Sequence, residues 1–352
     1  MSGVTGREVG IAFAKFATNS WNVAASVTKG AYFSSDGGLK LQPTLVDDDA
    51  FGQVFLGESE VGDIEAPDIS LPAVTRFDDH LYIFEALAMG SPATVTLSTS
   101  ATGAVTSWRH VIDLSDSLDG LGVTLAINKK LYVEELTSAK VYGFESSDGD
   151  SGKIVTTYKL LGSKPTVTSS ININSTVVGA SYPALGNRVM RKQATLRMNK
   201  AVGSSLAAVD TVKFETVKVS YSRPQDRPFI GGQDFIDEPA DNGFPEIGLE
   251  VNYPRMNTTA ANSLFAGLRD STTFKADLTY LGAYINSTDK YTRMYEFSAL
   301  KLTIFEAFTA GANQIKPKAT FKAYLATSTP TNMTLIRPMR LTRIMVNSTL
   351  AF

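Results

Sequence analysis

A chain of 352 residues, 43% hydrophobic and 19% charged, is too apolar to be disordered and long enough for about two domains of roughly 150 residues each. A net charge of −2 excludes a general attraction to nucleic acid, so any dealing with DNA is local or repulsive. With no cysteine and only two histidines, disulfides and the usual zinc ligand sets are excluded as well.

From the N-terminus, residues 1–30 lack the unbroken apolar run of a signal peptide, because Arg7, Glu8 and Lys15 interrupt it. No run of about 18 apolar residues follows, so no membrane span is expected. Most of the chain reads as short strands rich in Val, Ile, Thr, Tyr and Phe between Gly, Asp, Asn and Ser. A strand at 39–43 precedes a long insertion, Pro43–Ala66, and a second strand covers 67–73. Phe77–Leu87 has apolar residues at helical spacing and Gly90 as its stop. Ala139–Phe144 and Lys153–Leu161 form a hairpin across the Ser146–Gly152 turn. Gly162–Pro165 ends this unit, and Gly179–Asn187 reads as a connector.

The same series then begins again. Leu39–Leu41 recurs as Val217–Val219, and Pro67-Asp68-Ile69-Ser70-Leu71 as Pro245-Glu246-Ile247-Gly248-Leu249, both at an offset of 178. Glu135–Glu145 recurs as Glu296–Glu306 at an offset of 161. The helix returns at Thr258–Arg269, and the hairpin as Leu300–Phe308 and Lys318–Leu325 around Thr309–Gln314. Solenoid repeats run at about 20–50 residues, so a repeat of this length is a duplicated domain. The expected organisation is two tandem β-sandwich or partial-barrel domains, 1–176 and 177–352, each with one flanking α-helix and one long inter-strand loop.

Both long loops are acidic. From Leu41 to Thr75 there is no Lys or Arg, while Asp47, Asp48, Asp49, Glu58, Glu60, Asp63 and Glu65 occur, with Phe51 and Phe55 among them. Between Pro228 and Pro254 basic residues are again absent, and Phe229, Asp234, Phe235, Asp237 and Glu238 follow Asp226. Loops with apolar residues and one sign of charge usually meet a partner. Three consecutive acids do not reproduce the alternating ligands of a calcium loop. Positive charge gathers at Arg188, Arg191, Lys192 and Arg197, and at Arg337, Arg340 and Arg343. Such a basic face could receive the acidic loops of the next molecule, a head-to-tail contact that builds rings or filaments.

Chemistry is sparse. His80 reads as a helix-surface residue and His110 as a strand residue, and no nucleotide-binding loop or nucleophile elbow occurs. Nothing singles out a carboxylate pair for glycoside hydrolysis. Trp21 and Trp108 stand alone, and no cofactor, metal site or enzyme activity is expected.

Val4–Ala12, Ser34–Lys40, Gly62–Asp68 and Asp237–Pro245 together resemble the tail tube (major tail) proteins of long-tailed bacteriophages. The resemblance spans nearly the whole chain and lies in the combination. It implies a β-sandwich with one helix, in rings stacked into the tube through which viral DNA leaves the capsid. By that resemblance Pro43–Ala66 and Tyr221–Phe244 are the loops that touch an adjacent ring, through Asp47–Asp49, Phe51, Phe55, Glu58, Glu60, Asp226, Phe229, Asp234, Phe235, Asp237 and Glu238. Single-domain members form hexameric rings, so two copies per chain imply three chains per ring. Implied partners are further copies of the chain, a tape measure protein in the lumen, and tail terminator and distal tail proteins at the ends. Double-stranded DNA would pass without binding, and assembly in the host cytoplasm would end in the virion tail. A β-sandwich adhesion module of a virion or cell surface is the alternative that the residues leave open.

Overall fold

The computed structural model describes residues 10–15, 21–34, 43–47, 59–64, 67–90, 94–97, 105–167, 169–255, 267–306 and 316–348. The fold is mainly β. Its first half contains β1 (Gly10–Lys15), β2 (Lys29–Ala31), β3 (Pro43–Asp47), β4 (Ser59–Ile64), β5 (Asp68–Val74), helix α1 (Tyr82–Met89), β6 (Thr94–Leu97), β7 (Trp108–Asp113), β8 (Val123–Asn128), β9 (Val133–Asp148) and β10 (Ile154–Thr166). Helix α2 (Asn174–Gly179) leads into β11 (Ala194–Lys200), β12 (Thr211–Val212), β13 (Thr216–Ser222), β14 (Glu246–Asn252), β15 (Thr273–Tyr284), β16 (Lys290–Glu306), β17 (Lys318–Ala323) and β18 (Met339–Met345). Among the described residues, sixteen strands form one antiparallel sheet, and β3 and β4 pair separately. Part of the insertion expected as a loop is therefore a hairpin.

Duplication is written into the ladders. β2-β1-β8-β9-β10-β5 and β12-β11-β15-β16-β17-β14 run in the same order. The β9–β10 ladder slips at Tyr142 and the β16–β17 ladder at Thr303, 161 residues later. A second irregularity, at Thr124 between β8 and β9, returns at Lys275 between β15 and β16. Bulges re-aim strands and are costly to move, so their repetition marks common descent better than composition does. One register departs from the sequence match. Leu71 faces Tyr158, whereas Ala319, the counterpart of Tyr158, faces Val251 and not Leu249. A slide of two residues keeps the same side chains on the core face, so the sheet tolerates it.

The halves are not separate sheets. Beyond Ala139 the edge of β9 leaves β8 and takes β13, from Gly143 opposite Ser222 to Ser147 opposite Lys218. At the other end, β7 pairs with β18. One hydrophobic core runs through both halves. The boundary expected near 176 falls within α2, and the connector after it is tied down by bridges from Ser181 to Lys29, Arg188 to Arg76 and Met190 to Lys153.

Helix α1 starts five residues later than the apolar spacing suggests, because the Asp79 carboxylate accepts the backbone N–H groups of Arg76 and Leu81 and holds a turn before it. It stops at Gly90, whose φ of 71° is left-handed and whose missing Cβ leaves room for the Ser117 carbonyl oxygen. All eight of its residues are buried. In the second copy, residues 267–269 are helical, and the rest of the expected helix lies outside the described residues. His80 corrects the helix-surface expectation: it precedes α1, is buried, and lies 3.1 Å through Nδ1 from the Gly30 carbonyl oxygen.

A buried ionic network joins the halves. Glu85 of α1 accepts Arg293 of β16 at 2.7 Å, Arg343 of β18 at 2.9 Å and the Tyr158 hydroxyl at 3.2 Å. Asp79 holds the other Arg343 nitrogen at 2.8 Å. Two arginines and two carboxylates balance. Burial opposes the Arg343 charge, but Glu85 and Asp79 override it and raise the pKa above its ordinary value. Arg343 is 1% exposed, which overturns its place on a basic surface. Removing one member of a buried pair leaves uncompensated charge and costs about 3–5 kcal/mol. Arg343→Met should therefore destabilise the chain by about that amount in denaturant unfolding.

Both histidines are buried, and burial is the main reason that their pKa values fall below the ordinary 6.5. His110 meets the Asn347 carbonyl through Nε2, which must carry the proton because a carbonyl cannot donate. The unfolded chain takes up protons on these rings near 6.5 while the folded chain resists, so their contribution is full above that pH and is lost as pH falls towards the depressed values. Asp78, raised mainly by burial, works in the opposite sense on the carboxylate side. The stability gap between the parent and His110→Gln should narrow as pH falls from about 7 to 5.5 in thermal melts. A constant gap would contradict this assignment.

Candidate assembly surface

The best-built surface feature is the joint between the halves. Gly143 on β9 comes so close to β13 that a Cβ there would lie 2.7 Å from the Tyr221 carbonyl oxygen. Phe144 and Tyr221, both buried, pack with ring centroids 5.5 Å apart. Burial, as the main cause, pushes the Tyr221 hydroxyl up to about 12.

From this joint the acidic segment 223–245 turns back over the first half. Arg223 donates its backbone N–H to the Tyr142 carbonyl at 2.8 Å, and its guanidinium bridges Asp241 at 3.0 Å and the Ser115 carbonyl at 2.6 Å. The Lys140 ammonium, 1% exposed, donates to the Pro239 carbonyl at 2.6 Å and pairs with Glu238 at 2.9 Å. Glu238 also accepts the Gly120 N–H at 2.7 Å. The Ile236 carbonyl collects donors from Trp21, Asn22 and Ser163, while its side chain packs on Leu161 and Tyr142. Arg227 reaches Asp68 at 2.9 Å. Trp21, which alone in the sequence marks nothing, thus clamps this segment.

The residues expected at inter-ring contacts therefore divide. Glu238 is engaged within the chain, because Lys140 is buried and requires a carboxylate there. Asp237 and Phe235 are half-buried, whereas Asp226, Phe229 and Asp234 remain exposed. Asp47 lies on β3 and Glu60 on β4, while Asp48, Asp49, Phe51, Phe55 and Glu58 lie outside the described residues.

The basic face divides as well. Arg197 grips Asp277 through two nitrogens, one at 2.9 Å, and Arg337 and Arg340 pair with Asp116 and Asp113, each at 2.7 Å. With Arg343 buried, what remains is Arg188, Arg191 and Lys192. The last two line an open recess of about 630 Å³ with Lys213 and Phe214. Among the described residues, Arg188 and Lys192 make no ion pair, and no group of acidic and histidine side chains is set to hold a metal. No described helix is long and apolar enough to cross a membrane.

The second copy presents the equivalent edge on β16, whose ladder with β15 ends at the Thr273–Lys301 pair. Ile304 stands where the first copy has Gly143 and is 47% exposed. No family model matches the chain, and no curated protein is similar enough to it to assign a relationship.

Gly143→Val should loosen the joint by forcing β13 away, at a cost of about 1–3 kcal/mol. Ile304→Val at the exposed, equivalent position on β16 should change stability by less than about 0.5 kcal/mol in the same denaturant titration.

Proposed function

We propose that the chain is a structural subunit that polymerises head to tail through its own sheet into rings, stacked as the tail tube of a long-tailed bacteriophage. The observation that carries this reading is the β9–β13 joint, in which a strand of the second copy closes an edge of the first. Beyond Ala139, β9 receives β13 of the same chain, while at the equivalent place β16 leaves β15 at Lys301 and leaves Ile304 47% exposed. A strand edge with an exposed apolar residue is a template for strand addition. If β16 takes the corresponding strand of another molecule, each chain carries one acceptor edge and one donor, and the contact is heterologous. Three such chains give six similar joints, in keeping with the ring that the family resemblance implies.

Ile304 has a side chain where Gly143 has none, so the incoming strand must stand further off than β13 does. The joint between chains is therefore looser than the joint within one. Tape measure protein in the lumen, terminator and distal proteins at the ends, DNA in passage and a virion location all follow from the tube reading. A structural role also accounts for the absence of any singled-out catalytic constellation in the sequence.

Electron micrographs of concentrated protein, alone or with a tail initiator, should show rings of three chains with a central hole. Ile304→Asp, which places a charge on the edge, should abolish rings while leaving the thermal melt of the single chain unchanged. A protein that remains monomeric under all these conditions and binds glycan instead would favour the adhesion-module reading.

A further inference from the structure

Asp241-Asn242-Gly243-Phe244 contains the one Asn-Gly pair in the sequence. Such a pair is chemically labile, because glycine carries no side chain to shield its backbone nitrogen from the amide carbon of the preceding asparagine. Whether the two meet depends on the fold. A nitrogen held in a hydrogen bond, or an amide tethered by its neighbours, is kept from the geometry of attack.

Elsewhere the fold withholds these groups. Asp119-Gly120 and Asp148-Gly149 have the same potential chemistry, but the Gly120 N–H donates to Glu238 at 2.7 Å and the Gly149 N–H to the Lys153 carbonyl at 2.7 Å. In Asn286-Ser287 the side-chain oxygen of Asn286 accepts the N–H groups of Thr288 at 3.0 Å and Asp289 at 2.7 Å. At Asn242 neither restraint is present. Asn242 and Gly243 are exposed, and Phe244 after them is 92% exposed, so water has free access. Among the described residues, neither the Asn242 side chain nor the Gly243 N–H makes a hydrogen bond. Gly243 has a φ of 131°, which favours glycine, so the turn itself calls for the residue that leaves the nitrogen bare.

We propose that Asn242 is a self-modifying site, which converts to aspartate and isoaspartate through a cyclic imide. The Gly243 nitrogen loses its proton and bonds to Cγ of Asn242, the Cγ–Nδ2 bond breaks, and the amide nitrogen leaves as ammonia. Water then opens the ring. Attack at Cγ gives aspartate, whereas attack at the backbone carbonyl gives isoaspartate, whose main chain runs through the β-carbon. One water is consumed and one ammonia released, with no oxidation or reduction.

The position gives this change its reach. Asn242 donates its backbone N–H to the Pro224 carbonyl at 2.9 Å, and four residues later Glu246 pairs with Ser222 in the β13–β14 ladder. Isoaspartate inserts an extra main-chain carbon between these two anchors. The ladder is held by seven residue pairs, so the other anchor yields, and with it the Gln225–Asp241 bridge and the Arg223–Asp241 ion pair. Asn242 thus acts as a slow timer on the segment that seals the β9–β13 joint, whether or not the chain forms rings.

The full chain, kept for days in mildly alkaline buffer, tests this by fragment mass mapping. A gain of about 1 Da is expected at Asn242 sooner than at any other asparagine, at a rate within about tenfold of that in denaturant. An isoaspartyl methyltransferase should label the aged parent at this fragment and leave Asn242→Gln unlabelled there. Amide exchange at Asp226 and Asn242 should be at least about threefold faster in the labelled protein than in fresh protein. A folded rate more than about tenfold below the unfolded one would show that the fold protects Asn242, and the site would be wrong. Unchanged exchange in protein that carries isoaspartate would overturn the loosening.

Discussion

Four charges placed where water cannot reach them tie the second half to the helix of the first. Glu85 and Asp79 come from around α1, and Arg293 and Arg343 from β16 and β18, so neither side can bury its members without the other. An isolated ion in a low-dielectric interior is prohibitively unfavourable, whereas a balanced set is tolerable. The network therefore makes the two halves obligate partners. A hydrophobic substitute could be as stable, but it would not dictate which face of the second sheet meets the helix of the first.

With that constraint in place, the rest is a matter of edges. A sheet that ends in an unpaired strand invites association, and natural proteins cover such strands or use them. Here a strand of the second copy covers the edge of the first. The edge of β9 is closed by β13 and sealed by the segment carrying Glu238, while the equivalent stretch of β16 leaves β15 at Lys301 with Ile304 exposed. Two halves that were identical and symmetrically joined would close on themselves as a pair. The β9–β13 contact instead runs from one copy's acceptor edge to the other's donor strand, the head-to-tail sense on which the proposed assembly depends.

Much of this was legible in the residues, and the exceptions have physical reasons. Strand alternation, the hairpin and the Gly90 stop are local signals that appear in the fold, although Ser146–Asp148, expected in the turn, continue β9 and pair with β10. Matched sequence runs disclosed the duplication, because strands that pack alike keep similar side chains. The slide of β14 against β17 was invisible, since a shift of two residues preserves the apolar pattern that sequence matching reads. Arg343 looked like a surface cation because its partners, Asp79 and Glu85, lie more than 250 residues away in sequence. Glu238 resembled its neighbours in an acidic loop. Only the fold brings it to Lys140, whose burial no local pattern announces. His80 was misplaced by a helix drawn one turn too long.

The missing side chain at Gly143 has a kinetic meaning. Because the joint it permits lies within one chain, it forms as that chain folds, and its occupancy does not depend on protein concentration. Such a contact can be as tight as packing allows, since it never has to form by collision. A contact made between molecules must assemble from solution and should release errors, a requirement that a bulkier residue such as Ile304 would suit. In the proposed ring, fusing two copies divides the joints into a permanent class within chains and a reversible one between them, so that dilution acts on only half of them.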